Sequence, residues 1–411
     1  MKIGFIGLGK LGLPVALAIE SRGHDVLGYD ISDDVKGYVE NKKIPYREIW
    51  AQDHLDNSKI KFASVEDIVR HSEIIFVPIQ TPHSPEYEGT TRLPKKRVDF
   101  DYSWLKTGMK SLADEIEKQG EERVVIIIST VLPGTIRKEI KPLLGKHTKL
   151  CYNPFFIAMG TTMKDFLEPE FVLFGVDDEL AATKAEKFYR TLHHRSFYKT
   201  TIESAELIKV TYNTFISTKI SFVNTVMEMC HKLPGANIDD VTNALKLGSE
   251  RIISDKYFSG GMGDGGGCHP RDNIALSWLA GKLDMNFDWF ENIMMQRESQ
   301  TDWFADLIEA ELTQDIKNIY ILGKAFKQET DLCVGSPAIL LNNILEERRH
   351  KVEMYDPWVD KISPEFEKGC FFIGTKHPEF IEFDFPEGSV VLDPWRYIPD
   401  RQGVTMIRIG E

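Results

Sequence analysis

Hydrophobic and polar positions along the chain switch period several times, and the switches divide it into three blocks. The first opens with a short alternating apolar run, Lys2 to Ile6, predicting a strand; Gly7, Gly9 and Gly12 follow, with a helical pattern from Leu11 to about Ser21 that Gly23 ends. A second strand, Asp25 to Tyr29, ends in Asp30. Continuous apolar runs then recur at Glu73 to Pro78, Arg123 to Ser129, Lys149 to Tyr152 and Phe171 to Gly175. Runs such as VVIII are what strands covered on both faces of a parallel sheet carry. The middle block is dominated by one helical pattern, Glu203 to about Leu233, with Thr200-x-x-Glu203 as a capping box and Pro234-Gly235 as its end. Roughly thirty residues at 1.5 Å each span about 45 Å, more than one small domain needs. Ile208, Tyr212, Phe215, Ile216, Ile220, Val223 and Met227 give it an apolar stripe, fitting either a dimer seam or an intrachain core. The third block repeats strand, glycine and helix: Asn318 to Leu322, Gly323, then Ser336 to about Arg349, then a strand from Lys351 to Tyr355 ending in Asp356.

The pattern predicts an α/β protein: two Rossmann-like doubly wound domains joined by a long central helix and a helical linker domain, divided as 1–198, 199–300 and 301–411. A length of 411 residues exceeds what one core usually serves. In the first block, glycines at 7, 9 and 12 and an acid eighteen residues beyond the last describe a dinucleotide turn. Asp30 would accept from a ribose 2′-hydroxyl and repel a 2′-phosphate, so the expected cofactor is NAD. Thr81 and Thr130 fall at strand ends, where such sheets bind ligands, although either would also serve as a turn cap. The third block has one glycine at its turn, so a different nucleotide ligand is expected there.

Composition narrows the class. A net charge of −13 leaves no basic face for nucleic acid. No apolar run reaches the length of a membrane span and the amino terminus enters a strand directly, so a cytoplasmic protein is expected. The five cysteines are scattered, with no CxxC pair, and suggest neither a disulfide framework nor a metal site. Cys268 differs in context. It follows six glycines among residues 260–267 and precedes His269, Arg271 and Asp272, a loop able to press backbone amides on an anion and to place a thiol among charged groups. A flexible linker with a buried small hydrophobe would read the same in isolation. On the long helix Lys209 and Asn213 stand four apart, hence side by side. The segment from His83 to Arg97, with its Lys95-Lys96-Arg97 run, reads as a solvated surface loop.

Six ordered motifs carry a resemblance: GFIGLGKLGLP from Gly4, STVLPGT from Ser129, AELIKVTYN from Ala205, GMGDGGGCHPRD from Gly261, GKAFKQETD from Gly323 and SPA from Ser336. Together they resemble the UDP-glucose/GDP-mannose dehydrogenase family along essentially the whole chain. The resemblance implies a four-electron, NAD-dependent oxidation of the C6 alcohol of a nucleotide sugar to a uronic acid. It implies Cys268 as the nucleophile that forms a thiohemiacetal and then a thioester, Lys209 and Asn213 on the C6 oxygen, and Asp272 positioning water or acting as base. It further implies Gly7, Gly9, Gly12, Asp30 and Thr81 on NAD, with Thr130 in the water and cofactor network. Tyr257 and the glycine loop, Gly265 included, would meet the substrate diphosphate, Lys327 the substrate from the third domain, and Arg251 the substrate of a neighbouring subunit, making a homodimer functional.

Departures from the family pattern matter as much. Phe155 and Met159 stand where the family usually carries glutamates, the first of them associated with activating water against the thioester, and phenylalanine moves no proton. Leu332 replaces an acid, Val334 an arginine, and Arg271 a lysine. Three outcomes stay open at Phe155: another group supplies the base, with His269 and Asp264 as candidates; the thioester is attacked by something other than water; or reaction stops at the aldehyde. A β-hydroxyacid dehydrogenase would share the first domain and a lysine without needing Cys268, and a scaffold without turnover would bind sugar nucleotide or NAD silently.

Overall fold

A computed structural model of the chain describes residues 1–92, 94–232, 234–249, 254, 257, 259–263, 266–282, 284, 285 and 288–411. The chain divides into two compact units, Met1–Pro82 with Phe100–Thr211, and His83–Asp99 with Tyr212–Glu411. The expected α/β class is what folds: each unit carries a largely parallel sheet, and the long helix, Ile202–Lys232, starts in the first unit and continues in the second.

The first unit holds eight strands: β1 (Lys2–Ile6), β2 (Asp25–Tyr29), β3 (Lys61–Phe62), β4 (Ile74–Val77), β5 (Arg123–Ile127), β6 (Thr148–Tyr152), β7 (Val172–Val176) and β8 (Phe197–Thr200). Their order is β3-β2-β1-β4-β5-β6-β7-β8, with the sequence reversing direction across the sheet at β1 and β4. Alternate residues feed two cores. Phe5, Ile74, Phe76, Val124 and Ile126 pack on one face, Ile6, Ile75, Val77, Val125 and Ile127 on the other, which is why these strands read as unbroken apolar runs. Helix Gly12–Glu20 covers the first face, and Leu105, Met109, Leu112 and Ile116 of helix Ser103–Gln119 cover the second.

One strand departs from the all-parallel pattern: β7 runs antiparallel to β6, with β8 parallel to β7. Between β6 and β7 the chain forms only the six-residue helix Thr162–Leu167, about 9 Å long. β7 instead returns alongside the end of β6, Tyr152 pairing with Gly175 and Cys151 with Val176. The long helix also starts one residue later than the capping box suggested. Thr201, not Thr200, caps it by accepting from the Ser204 amide at 3.2 Å, because Thr200 is the last residue of β8.

In the second unit β9 (Asn318–Leu322), β10 (Val352–Tyr355), β11 (Gly369–Ile373), β12 (Val390–Asp393) and β13 (Thr405–Arg408) form a parallel sheet ordered β10-β9-β11-β12-β13. One face packs on Val223 and Met227 of the long helix, on Phe304 and Ile308 of helix Trp289–Glu311, and on Leu341 and Ile344 of helix Pro337–Glu347. The other is closed by loop aromatics, Phe380 and Phe385 among them.

The segment His83–Asp99 is not the solvated loop its polarity suggested. It belongs with the second unit, where Tyr87 packs against Ile274, Ile293 and Met294. Arg92 pairs with Asp302 and Glu347, Arg97 with Glu291, and Arg297 donates to the Gly89 carbonyl at 2.7 Å. Lys95 and Lys96 remain exposed. Among the described residues no helix is long and apolar enough to cross a membrane.

Candidate active site

In the first unit the glycine turn is built around three different needs. Gly7 has φ +113° and donates to the Tyr29 carbonyl at 2.7 Å, a backbone that side chains resist. A Cβ on Gly12 would sit 2.2 Å from the Gly7 carbonyl oxygen, so the helix can meet the strand only without one. A Cβ on Gly9 would meet nothing within 4 Å; its bareness keeps space open outside the turn. Asp30 is aimed by the same turn, its two oxygens accepting from the amides of Leu8 at 2.8 Å and Ser32 at 2.9 Å. Close backbone approach for a pyrophosphate and an oriented acid for a ribose are both present, and the residues fit a dinucleotide.

Thr81 is buried and its hydroxyl donates to the Thr130 carbonyl at 2.6 Å, fixing the loop after β5 to the end of β4. The Tyr102 hydroxyl accepts from the Leu132 amide and from Thr135, each at 3.2 Å. A residue passed over in the sequence completes the attachment. Glu206, fully buried on the long helix, accepts from the Gly134 amide at 2.6 Å and the Ile136 amide at 2.8 Å. Burial raises its carboxyl to about 7 against the lowering effect of those two amides.

The long helix buries only part of its apolar stripe, Val223 and Met227. A further buried line, Glu206, Val210, Thr214, Ser217, Ser221 and Asn224, is mostly polar, while Phe215 and Phe222 are over half exposed and Leu207 is exposed too. Lys209 is buried rather than solvated, its Nζ 5.4 Å over the Phe156 ring. Phe155 packs at 5.3 Å on Phe166, against the first core. It is a packing residue here.

In the second unit the glycine loop is held, not slack. The side-chain amides of Asn224 and Gln300 engage its backbone: Asn224 donates to the Gly263 carbonyl at 2.7 Å and accepts from the Gly261 amide at 3.2 Å. Gln300 accepts from the Gly263 amide and donates to the Gly261 carbonyl, both at 3.2 Å. The missing side chains admit close neighbours: Trp395 at Gly261, Pro337 at Gly263, Phe326 at Gly266, and Val334 with Gly335 at Gly267. Asp264, Gly265 and Arg251 lie outside the described residues. Tyr257, exposed, has φ +64°, and Lys327 stands 5.7 Å over the ring of Phe326, the residue that fills the space beside Gly266.

Cys268 opens helix Cys268–Lys282 and is exposed. Cys151 and Cys370 are buried, which pushes each thiol up to about 12, and burial pushes Cys333 up to about 11. One turn beyond Cys268, Asp272 is fully buried and accepts from Asn213 Nδ2 at 2.6 Å on one oxygen and from Arg271 Nε and Nη2 at 3.2 and 3.1 Å on the other. Burial opposes the Arg271 charge, but Asp272 and the Cys268 sulfur outweigh it and raise its value above the usual one. His83, buried, is lowered to about 4 by burial and by Arg271, against the pull of Asp272, so it is neutral at pH 7. His269 Nδ1 is 3.0 Å from the Ser217 hydroxyl, which orients the ring.

The second glycine turn resembles the first in backbone and differs in its acid. Gly323 has φ +106° and donates to the Tyr355 carbonyl at 2.7 Å, the counterpart of Gly7 and Tyr29. Asp356, at the position equivalent to Asp30, is fully buried and committed internally: it accepts from the amides of Lys324, Ala325 and Trp358 and from His377 Nε2 at 3.1 Å. Burial opposes its charge, and those donors more than offset it, lowering the carboxyl to about 2. This acid is not available to a ribose.

The model of the UDP-glucose/GDP-mannose dehydrogenase family matches in two parts, the NAD binding domain over residues 1–193 and the central domain over residues 203–297. A UDP-glucose 6-dehydrogenase of Rickettsia prowazekii is 30% identical over 369 residues, 87% of this chain and 81% of that protein. A GDP-mannose 6-dehydrogenase of Pseudomonas aeruginosa is 27% identical over 95% of this chain and 87% of its own. Among solved structures, a UDP-D-ManNAc dehydrogenase from Pyrococcus horikoshii superposes with TM-score 0.83 at 26% identity, covering 100% of this chain and 99% of that one. A UDP-glucose dehydrogenase from Pyrobaculum islandicum reaches TM-score 0.87 at 23% identity over 100% and 98%, a likeness of fold.

Proposed function

The chain belongs to the UDP-glucose/GDP-mannose dehydrogenase family, an NAD-dependent nucleotide-sugar oxidoreductase, and from that premise we propose that it oxidises the C6 alcohol of a UDP-glucose-like sugar nucleotide to the uronic acid through Cys268. The observation that carries this reading is the second-unit cluster: an exposed cysteine at the start of a helix, with Asp272 one turn on, held by Asn213 and Arg271. In functional terms we read three segments, 1–198 for NAD, 199–300 for catalysis and subunit pairing, and 301–411 with Lys327 for the nucleotide sugar.

Bound NAD supplies the acceptor for both hydrides, one molecule for each oxidation. In the first oxidation the C6 hydroxyl loses its proton, through water or directly to Asp272, as the hydride leaves the carbon. Lys209 and Asn213 donate to the C6 oxygen, where negative charge develops; a cation and an amide already in place stabilise it without reorganisation. The Cys268 thiolate then adds to the aldehyde carbon, forming a C–S bond and a thiohemiacetal. Loss of the second hydride and the hydroxyl proton gives a thioester. Water breaks the C–S bond, leaving the carboxylate and the regenerated thiol. Thr130 orders water, and Tyr257, the glycine loop and the neighbouring subunit's Arg251 hold the diphosphate and sugar.

With phenylalanine at 155, we assign activation of that water to His269, whose ring is oriented by Ser217. If His269→Ala still releases two NADH per sugar at the wild-type rate with no acyl-enzyme by intact mass, another base acts. The exposed Leu207, Phe215 and Phe222 along one line of the long helix support pairing of two copies through it. The decisive experiment scores UDP- and GDP-sugars for NADH formed per sugar consumed, with wild type and Cys268→Ala. Two NADH per sugar, lost in the variant, is the expected result; one per sugar indicates release of aldehyde, and binding without NADH indicates a scaffold.

A further inference from the structure

Glu206 is fully buried and spends both oxygens on backbone amides of a single loop, those of Gly134 and Ile136. That loop leaves β5 through Thr130, whose carbonyl takes the Thr81 hydroxyl, and it passes directly into a wide helical turn at Ile136–Ile140. Glu206 itself stands three residues before Lys209, on the same side of the long helix. We propose that Glu206 is a positioning residue: by accepting two loop amides with one ionised carboxylate it sets the register between the Thr130 loop and the helix turn that carries Lys209. The functional part of this assignment rests on the reading above, in which Thr130 and Lys209 serve the oxidation; the structural part does not.

The chemistry demands the anion. A carboxylate offers an acceptor on each oxygen, and both neighbours are donors. Protonation, or replacement by glutamine, turns one of the two into a donor that faces an N–H. A buried amide is then left unsatisfied, and the loop must move to find another partner. The charged groups acting on Glu206 are Glu203 on its own helix and Arg137 from the turn after the loop; Lys209, three residues on, has its Nζ over the Phe156 ring. Arg137 is paired with Glu203 and with Asp177, which also pairs with Lys141. Tyr102 meets the same loop at Leu132 and Thr135. The Arg137–Glu203 pair holds Glu203 below and Arg137 above their usual values, so both keep their charge near neutrality. Glu206 is raised to about 7 by burial, so the clamp titrates near neutrality: it tightens as pH rises through that value and slackens as pH falls.

Hydrogen exchange on the NAD-free protein tests this without requiring turnover. In the wild type, protection of the Gly134 and Ile136 amides, corrected for intrinsic rate, should rise between pH 6 and pH 8. In Glu206→Gln it should be lower by roughly 10- to 100-fold at pH 8, the factor that losing one charge-assisted hydrogen bond brings, and flat with pH. Protection in β1, β4 and β5 should not change. Glu206→Asp, charged but one methylene shorter, should keep protection at one of the two amides. Where a nucleotide sugar is turned over, kcat should fall at least tenfold in Glu206→Gln with KM for the sugar within about twofold, and the acid limb of the wild-type kcat profile should vanish. Unchanged exchange at Gly134 and Ile136, or a loss spread evenly over the first sheet, overturns the proposal. If no sugar is oxidised, the functional reading fails while the exchange result still decides the clamp; if Glu206→Gln does not fold, the wild-type pH series and Glu206→Asp decide it.

Discussion

Gly9→Ala and Gly12→Ala, two single-methyl additions three residues apart, should fail in opposite ways. At Gly12 the new Cβ lies 2.2 Å from the Gly7 carbonyl oxygen and 3.0 Å from Pro78 Cγ. One of these is backbone, so the helix must retreat from the strand, an overpacking that costs roughly 1–3 kcal/mol. For a unit of about 190 residues, 1 kcal/mol moves Tm by about 2–4 °C, so the NAD-free variant should melt several degrees low. At Gly9 nothing lies within 4 Å, and the NAD-free protein should keep its stability to within about 0.5 kcal/mol. The methyl group would instead occupy the space where backbone and pyrophosphate must meet. NAD at a hundred times its Kd stabilises the wild type by about 2.7 kcal/mol; that increment should disappear in Gly9→Ala. Thermal unfolding of the three proteins across an NAD titration separates the effects. A Gly9→Ala protein with a full NAD-induced shift, or a Gly12→Ala protein as stable as wild type, would refute the assignment of the two glycines.

Asp356 gives a pH test with a definite sign. Its carboxyl lies at about 2 in the fold against 3.8 in the unfolded chain, so the unfolded chain binds more protons in that window and stability rises with pH across it. The contribution, about 2 kcal/mol, is complete above pH 4 and lost as pH falls toward 2; chemical denaturation should show the gap between wild type and Asp356→Asn narrowing below pH 4, and a gap independent of pH would remove the argument. Asn224→Asp takes away the donor to the Gly263 carbonyl and sets a charge against it. KM for the sugar nucleotide should rise roughly tenfold with NAD affinity unchanged by titration calorimetry, and an equal loss for both ligands would contradict a role confined to the glycine loop. Phe222→Asp on the exposed line of the long helix should give monomers by sedimentation velocity, whereas an unchanged assembly would place the seam elsewhere.

Much of the first unit was legible because parallel strands covered on both faces cannot hide their periodicity. The runs at β1, β2, β4, β5 and β6 gave their positions to within a residue or two, and the spacing of Gly7, Gly9, Gly12 and Asp30 marked a dinucleotide turn. The two-residue β3 and the half-exposed β8 escaped notice because they are too short or too polar to show a period; β11, β12 and β13 were missed too, although β11 and β12 are buried apolar runs as long as β1 and β4. The direction of β7 was hidden for another reason. It is set by pairing with β6, Cys151 with Val176 and Tyr152 with Gly175, which no local pattern shows. In the site, Cys268, Lys209, Asn213 and Asp272 stood out by motif, but Glu206, Asn224 and Gln300 did not. A polar residue in an amphipathic helix reads as solvent-facing until a loop is seen to bond to it.

By itself, then, the sequence determined the α/β class, the dinucleotide turn and the family, because each depends on local geometry or on residues close in the chain. Only the tertiary structure decided which face of the long helix is buried, since that turns on the polar line from Glu206 to Asn224 finding partners in a loop 70 and 72 residues before it, and in the glycine loop and on helix Trp289–Glu311 up to 76 residues after it. It likewise showed that Phe155 packs, half-buried, against the first core and that the acid of the second glycine turn is taken. The buried helix face and the occupied acid come from hydrogen-bond satisfaction across long chain separations, where burial leaves a polar group no alternative to the partner the fold provides, and the seat of Phe155 from apolar packing on Phe166.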